Sequence, residues 1–407
     1  MPILRNIGLL ATCRAAGAQG EIHAIAKAAL VWRAGVVLWA GRERDLPRGY
    51  HALSAMDAGK RLVIPGLVDC HTHLVFGGWR FPEFSQRLLG RSYLEIARAG
   101  GGLLSTAAAT RGATASALVN RAHGFLRALA LQGVTCVEIK SGYGLLPEAE
   151  MKILKVIREL AARQPLRLVP TFLAHAVPAE YRQRRGAYLR LLVEEMLPAV
   201  ARGKLADFCD VFMEKGAFTR GEAGRILAAA GRLGLGLKLH ADQLSSGGGA
   251  ELAGALGAAS ADHLEYVSAQ GIRALKRAGT VAALLPLPCL HLGLQPPPAR
   301  RFIEAGVPVA VASDFNPGTN PACHLPYALA LAVPLLRMTP AEVLKGATIH
   351  AARALRRDHV LGSLEPGKSA DFSIPEAESP EEWLLGFREN SCAATTIAGR
   401  RVTPGGT

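Results

Sequence analysis

The chain of 407 residues carries 47 Lys and Arg against 33 Asp and Glu, a formal net charge of +14, and is 50% hydrophobic with 20% charged residues. That length exceeds one small core, and that balance excludes an unfolded polyelectrolyte and suits a soluble globular protein of more than one domain. The basic excess lies on scattered arginines, as in Tyr181 to Arg190, with no long Lys/Arg run and no basic strip interleaved with aromatics, which argues against a nucleic-acid binder.

The N-terminal stretch MPILRNIGLLATCRAAG has a short apolar patch but no basic segment leading a long apolar one, so it does not read as a signal peptide. Apolar runs stay below about 18 residues, and no membrane span is expected. Seven cysteines (Cys13, Cys70, Cys136, Cys209, Cys289, Cys323 and Cys392) are dispersed without a C-x-x-C pair. An odd, scattered set implies free thiols in a reducing compartment and a cytoplasmic location.

In chain order, Ala29 to Trp32 and Gly35 to Gly41 read as short strands. From Leu67 onward, strand-like runs alternate with helical periodicity. The runs are Leu67–Cys70, Gly133–Ile139, Arg167–Leu173, Asp210–Met213, Leu235–Leu239, a short one ending Ser260-Ala261-Asp262-His263, Thr280–Leu285 and Val307–Ala312. Between them, Ser116–Gln132, Glu148–Arg163, Gly221–Leu233 and Ser268–Ala278 repeat apolar residues at three- and four-residue spacing. Short β segments return at Gly362–Leu364, Ala370–Ile374 and Ala394–Ile397, separated by turn residues.

Eight β-then-α units predict an α/β fold, a TIM-like (β/α)8 barrel. The competing doubly wound sheet wants a glycine-rich turn after its first strand, and Ala99-Gly100-Gly101-Gly102 does not follow a convincing strand. We therefore expect a barrel over 61–358 and a small β-sandwich domain built from residues 1–60 and 359–407.

Chemistry in such a barrel sits at the C-terminal ends of its strands. The first strand runs into His71 and His73, which alternation puts on one face. The third ends at His175, the fourth at Glu214, the fifth at His240, the sixth at His263 and the eighth at Asp314, while the second runs into Lys140 and the seventh ends without an ionisable group. Five imidazoles and carboxylates on one rim, in a chain with twelve histidines, point to a metal site. Neutral imidazole and carboxylate suit Zn2+ and also Fe2+. His71, His73, His240 and Asp314 make a three-nitrogen, one-oxygen set, and an ion there would acidify water and polarise a carbonyl. His263 would handle that water's proton or steady it, and Asp314 could receive the proton. Lys140 reads as a salt-bridge lysine with Glu214 as its partner.

These segments resemble a known family. PGLVDCHTH at 65–73 resembles the first-strand signature of the amidohydrolase superfamily. Several segments narrow the resemblance to its imidazolonepropionase family: DCHTHLVFGG at 69–78 with Arg80, YLEIARAGGGLLST at 93–106, VEIKSGYGL at 137–145, DVFMEKGAF at 210–218, KLHADQL at 238–244, SADHLEY at 260–266 and ASDFNPGTNP at 312–321. The resemblance implies hydrolytic opening of 4-imidazolone-5-propanoate to N-formimidoyl-L-glutamate, in histidine degradation, with one ion of Zn2+ or Fe2+/Fe3+ on His71, His73, His240 and Asp314. It places substrate contacts on Arg80, Tyr143, His175, Gln243, Asn316, Gly318 and Thr319, and it implies a homodimer acting on a small anionic heterocycle. Arg80 is physically apt, because a guanidinium grips a carboxylate with two charge-assisted hydrogen bonds.

Three positions depart from the family pattern. A glycine usually preceding Ala-His is missing before Ala174-His175, Gln243 stands where some members carry Glu, and Trp79 stands where a small acidic residue is common. The alternative within the superfamily is another cyclic-amide hydrolase or an aromatic deaminase. A carbamylated lysine bridging two metals is disfavoured, because Lys140 ends the second strand rather than the fourth.

Overall fold

A computed structural model describes residues 1–91, 95–96, 99–388 and 391–403. Within the segment 93–106 quoted above, Tyr93, Leu94, Ala97 and Arg98 lie outside the described residues. Eight strands form one parallel sheet in sequence order: β1 (Leu67–Asp69), β2 (Val134–Lys140), β3 (Arg167–Ala174), β4 (Phe208–Met213), β5 (Gly236–Ala241), β6 (Ser260–His263), β7 (Val281–Leu284) and β8 (Val309–Val311). Every neighbouring pair is parallel. Just past the strand ends, the two sheet edges meet in a parallel bridge between Thr72 and Phe315. There the Asp314 N–H donates to the His71 carbonyl at 3.0 Å and the His73 N–H to the Phe315 carbonyl at 2.8 Å. The closure therefore ties together the loops that carry His71, His73 and Asp314.

The crossover helices fall where periodicity puts them, at Ala115–Leu131, Pro147–Arg163, Arg220–Arg232 and Ala269–Ala278. Three begin at a side-chain cap: Thr114, Thr219 in a reciprocal capping box with Glu222, and Ser268. The fourth opens on Pro147, whose missing N–H costs nothing in the first turn. Leu118, Val119, Ala122, Leu126 and Leu129 make one buried stripe. Burying each large side chain of this kind contributes roughly 1.5–3 kcal/mol, and such stripes seat the helices on the strands.

Strands from both ends of the chain build a second eight-stranded sheet. Its order is Arg400–Arg401, Cys392–Ile397, Phe372–Pro375, Leu62–Pro65, Ile3–Ala11, Ala24–Arg33 and Val36–Arg42, with Ala55–Asp57 pairing beside Ile3–Ala11. Leu4, Ile7, Leu30, Trp32 and Phe372 form part of its own buried cluster. Gly362–Leu364, expected as a strand, is not one: Leu364 is buried in that cluster within a turn-rich connection. A single leucine after Gly362-Ser363 does not distinguish an edge strand from a packed turn. Leu62–Pro65 leads into β1 across Gly66 alone, and a Cβ at Gly66 would fall 2.3 Å from the Thr135 side chain. The chain changes sheets there, immediately before the histidine pair.

Candidate active site

At the mouth of the barrel, His71 Nε2 and His73 Nε2 stand 3.3 Å apart. Asp314 Oδ1 lies 3.5 Å from the first and 3.4 Å from the second. The His240 ring centroid is 4.6 Å from that of His71 and 5.6 Å from that of His73. His71, His73 and His240 form one set of mutually close potential ligand atoms, and His71, His263 and Asp314 form another. All of these side chains are buried.

The layer beneath fixes how the rings present themselves. His71 Nδ1 is 2.6 Å from Asp262 Oδ2, and His240 Nδ1 is 3.0 Å from Asp210 Oδ2. Each carboxylate engages one ring nitrogen and leaves Nε2 to face the cluster, as metal-binding histidines require. Burial lowers His71 well below its ordinary value, helped by Lys140 and the other histidines. Burial likewise lowers His73, against the pull of Asp314. These rings stay neutral, with lone pairs available. The donor set therefore fits a divalent cation of borderline hardness.

His263 behaves differently. Burial acts to lower its pKa, but Glu265, followed by Asp314 and Asp262, outweighs burial and holds it above its ordinary value. Its Nδ1 lies 3.6 Å from Glu265 Oε1. His263 and Asp314 both adopt left-handed backbone, at φ 78° and 53°. Such conformations cost of order 1–3 kcal/mol each and concentrate at functional positions. In β6 the left-handed turn breaks strict alternation, so the consecutive residues Asp262 and His263 both reach the cluster.

Lys140 does not pair with Glu214, as its position on the second strand had led us to expect. Its Nζ lies 3.0 Å from Glu138, 2.7 Å from Asp210 and 3.4 Å from Asp262, all fully buried. Glu214 instead accepts from the backbone N–H groups of Lys215 and Leu244 at 2.8 Å each, and from the Ser245 hydroxyl. Three anionic neighbours keep Lys140 an ammonium and oppose the negative charge of a carbamate. Glu138, Asp210, Asp262 and Glu265 were all missed by reading only the strand ends. The available signal was charge inside strand-like runs, with Glu138 two residues before Lys140 and Lys238 two before His240.

The expected substrate residues ring the same mouth. The His175 ring stacks 5.5 Å from His73, and Tyr143 is 6.0 Å from His73 and 5.4 Å from His175. Despite the missing glycine, β3 runs unbroken to Ala174, which pairs with Val211. Burial first, then His73 and His240, lowers His175 well below its ordinary value. Glu150 holds the Tyr143 loop by accepting from the Gly142, Gly144 and Leu145 N–H groups at 2.9, 2.6 and 2.7 Å. Gln243 is buried on the loop after β5.

Arg80 is 7% exposed, and its Nε is buried without a hydrogen-bond partner. Among the described residues no carboxylate forms an ion pair with it. Its guanidinium covers Gly318, where a Cβ would fall 1.9 Å from Nη2. Trp79 joins an aromatic wall with Phe76, Phe125 and Phe315 at centroid distances of 4.7, 5.8 and 6.0 Å. Asn316 uses its whole amide within the loop. It donates to the Asp314 carbonyl and Thr319 Oγ1 at 2.8 Å each, and accepts from the Gly318 and Thr319 N–H groups at 2.9 and 2.7 Å. That arrangement makes Asn316 the residue that shapes the Gly318–Thr319 turn under Arg80.

Comparison with known proteins agrees with this geometry. Residues 89–402 match a family model described as "Amidohydrolase family". The chain is 46% identical over 380 residues to an imidazolonepropionase of Cupriavidus necator, covering 93% of this chain and 91% of that one. It is 44% identical to an imidazolonepropionase of Shewanella frigidimarina, over 94% of each chain. Among solved structures, a zinc-complexed atrazine chlorohydrolase from Arthrobacter aurescens superposes with a TM-score of 0.73 at 16% identity, covering 98% of this chain and 95% of that one. E. coli guanine deaminase superposes with a TM-score of 0.71 at 17% identity, covering 99% and 98%. At that identity these two speak to the fold alone.

Proposed function

The chain belongs to the imidazolonepropionases of the amidohydrolase family, and on that premise we propose how its barrel mouth hydrolyses 4-imidazolone-5-propanoate to N-formimidoyl-L-glutamate, a step of histidine degradation. His71, His73, His240 and Asp314 would hold one ion, zinc or iron. When bound, it supplies Lewis acidity toward the ring carbonyl and acidifies the attacking water. The rest of the reading concerns the protein's own groups. Arg80, a buried guanidinium with no carboxylate partner among the described residues, binds the propionate carboxylate, and this observation carries the reading. Tyr143, His175 and Gln243 line the ring's side of the mouth, and Gly318 and Thr319 form its floor beneath Arg80.

The water adds its oxygen to the ring carbonyl carbon and gives one proton to Asp314. His263, whose pKa Glu265 raises against the effect of burial, faces the developing oxyanion and donates to it when it carries the proton. Asp314 returns its proton to the ring nitrogen as the C–N bond breaks, leaving a carboxylate and the formimidoyl nitrogen. Gln243 carries no ionisable proton, which supports ring hydrolysis over a deaminase route that relies on a glutamate there.

No helix among the described residues is long and apolar enough to cross a membrane. The seven free cysteines support a cytoplasmic location. Ultraviolet monitoring of the substrate tests the core of the reading. The wild type turns it over, and His240→Ala falls by at least ~1000-fold and binds zinc weakly. Turnover by His240→Ala within tenfold of the wild type would refute the ligand assignment.

A further inference from the structure

Resting on that reading of the ligands, we propose that Lys140 is a positioning residue for the metal centre, tying together the two carboxylates that orient His71 and His240. The orienting carboxylates lie on different strands, Asp210 on β4 and Asp262 on β6, with β5 and its His240 between them. Two like charges at that depth repel each other unless a cation lies between them. The Lys140 ammonium reaches Asp210 at 2.7 Å and Asp262 at 3.4 Å. It also reaches Glu138 at 3.0 Å, whose Oε1 accepts from the Thr171 hydroxyl at 2.5 Å and whose Oε2 faces Lys238 at 2.8 Å.

The second buried lysine is arranged differently and makes a control. Lys238 bonds Glu138 and the Cys70 carbonyl, the latter at 3.1 Å, and comes no nearer than 3.9 Å to Asp262. Its ion-pair partners among the described residues are Glu138 and Asp262, not Asp210. Both lysines are fully buried in the same core, so loss of either removes a comparable buried ion pair. Only Lys140 spans both orienting carboxylates. The buried charges are three carboxylates against two ammoniums, which leaves one negative charge under the ligands and favours a cation above it.

The test compares wild type, Lys140→Met and Lys238→Met, each reconstituted with zinc. Zinc affinity is read by competition with a chromogenic chelator, and the thermal midpoint is read with and without zinc. We expect Lys140→Met to release zinc about 10–100-fold more readily, the range for losing support behind a ligand, with a smaller zinc-induced rise in midpoint. Lys238→Met should stay within about threefold in zinc affinity, though its apo midpoint falls as far. The proposal fails if Lys140→Met holds zinc within threefold of wild type, or if both variants weaken zinc equally. If Lys140→Met does not fold, Lys140→Gln, which keeps a donor in the core, is judged by the same thresholds. If wild type and Lys140→Met differ as expected but neither opens the imidazolone ring, the positioning role stands and the substrate reading falls.

Discussion

At the scale of single residues, the mouth combines two histidines that burial holds below their ordinary pKa, His71 and His73, one histidine raised above it, His263, and a buried arginine that no carboxylate among the described residues pairs with. Arg80 gives the cleanest test of substrate recognition. Two charge-assisted hydrogen bonds are worth roughly 1.5–3 kcal/mol each, so Arg80→Met should raise KM by about 100-fold or more while kcat changes only a few-fold. A steady-state series with the propionate substrate checks this, and an unchanged KM would remove Arg80 from substrate binding. The ligand candidates were legible in the sequence because each sits where a strand-like run stops. The layer behind them was not legible in that way. Asp210, Asp262 and Glu138 lie inside the strands, where a charged residue is indistinguishable from one on a solvated face until the barrel closes around it. Lys140 was assigned the wrong partner for the same reason, because parallel neighbours are set by sheet order and not by chain proximity.

At the scale of elements, the places of the barrel strands and of four crossover helices followed from apolar runs and three-four periodicity. The left-handed turns at His263 and Asp314 did not, since neither is glycine, although His and Asp enter that region more readily than other side chains. The Asn316–Asn320 turn shows how a loop can set the position of a neighbouring side chain. Its glycine is the seat of the Arg80 guanidinium, so Gly318→Ala should push that group aside by steric contact alone. The variant should fold normally, as judged by its thermal midpoint, and should reproduce most of the KM defect of Arg80→Met with zinc binding intact. Wild-type kinetics in Gly318→Ala would show that the guanidinium has another resting place.

For the whole molecule, the eight β-then-α units revealed the barrel, but its closure through Thr72 and Phe315 lies beyond any periodic signal. Stability should be acid-sensitive through His350, which lies in a helical segment after the barrel's last strand. Burial, with Lys345 and Arg353 adding to it, pushes His350 down to about 3. The unfolded chain takes up that proton near pH 6.5, whereas the folded one does not. Stability is therefore full above that pH and is lost as pH falls toward 3, by ~2 kcal/mol at pH 5. Denaturant titrations at pH 7 and pH 5 should show a smaller loss for His350→Gln than for wild type, and equal losses would exclude this origin.

The strand Leu62–Pro65, which ends six residues before His71, is flanked by Ile3–Ala11 on one side and Phe372–Pro375 on the other. During translation, its second flank is missing until almost the entire polypeptide has left the ribosome. The histidine pair is thus synthesised early and anchored late, and a nascent chain stalled within the barrel would present those imidazoles on a half-supported ribbon.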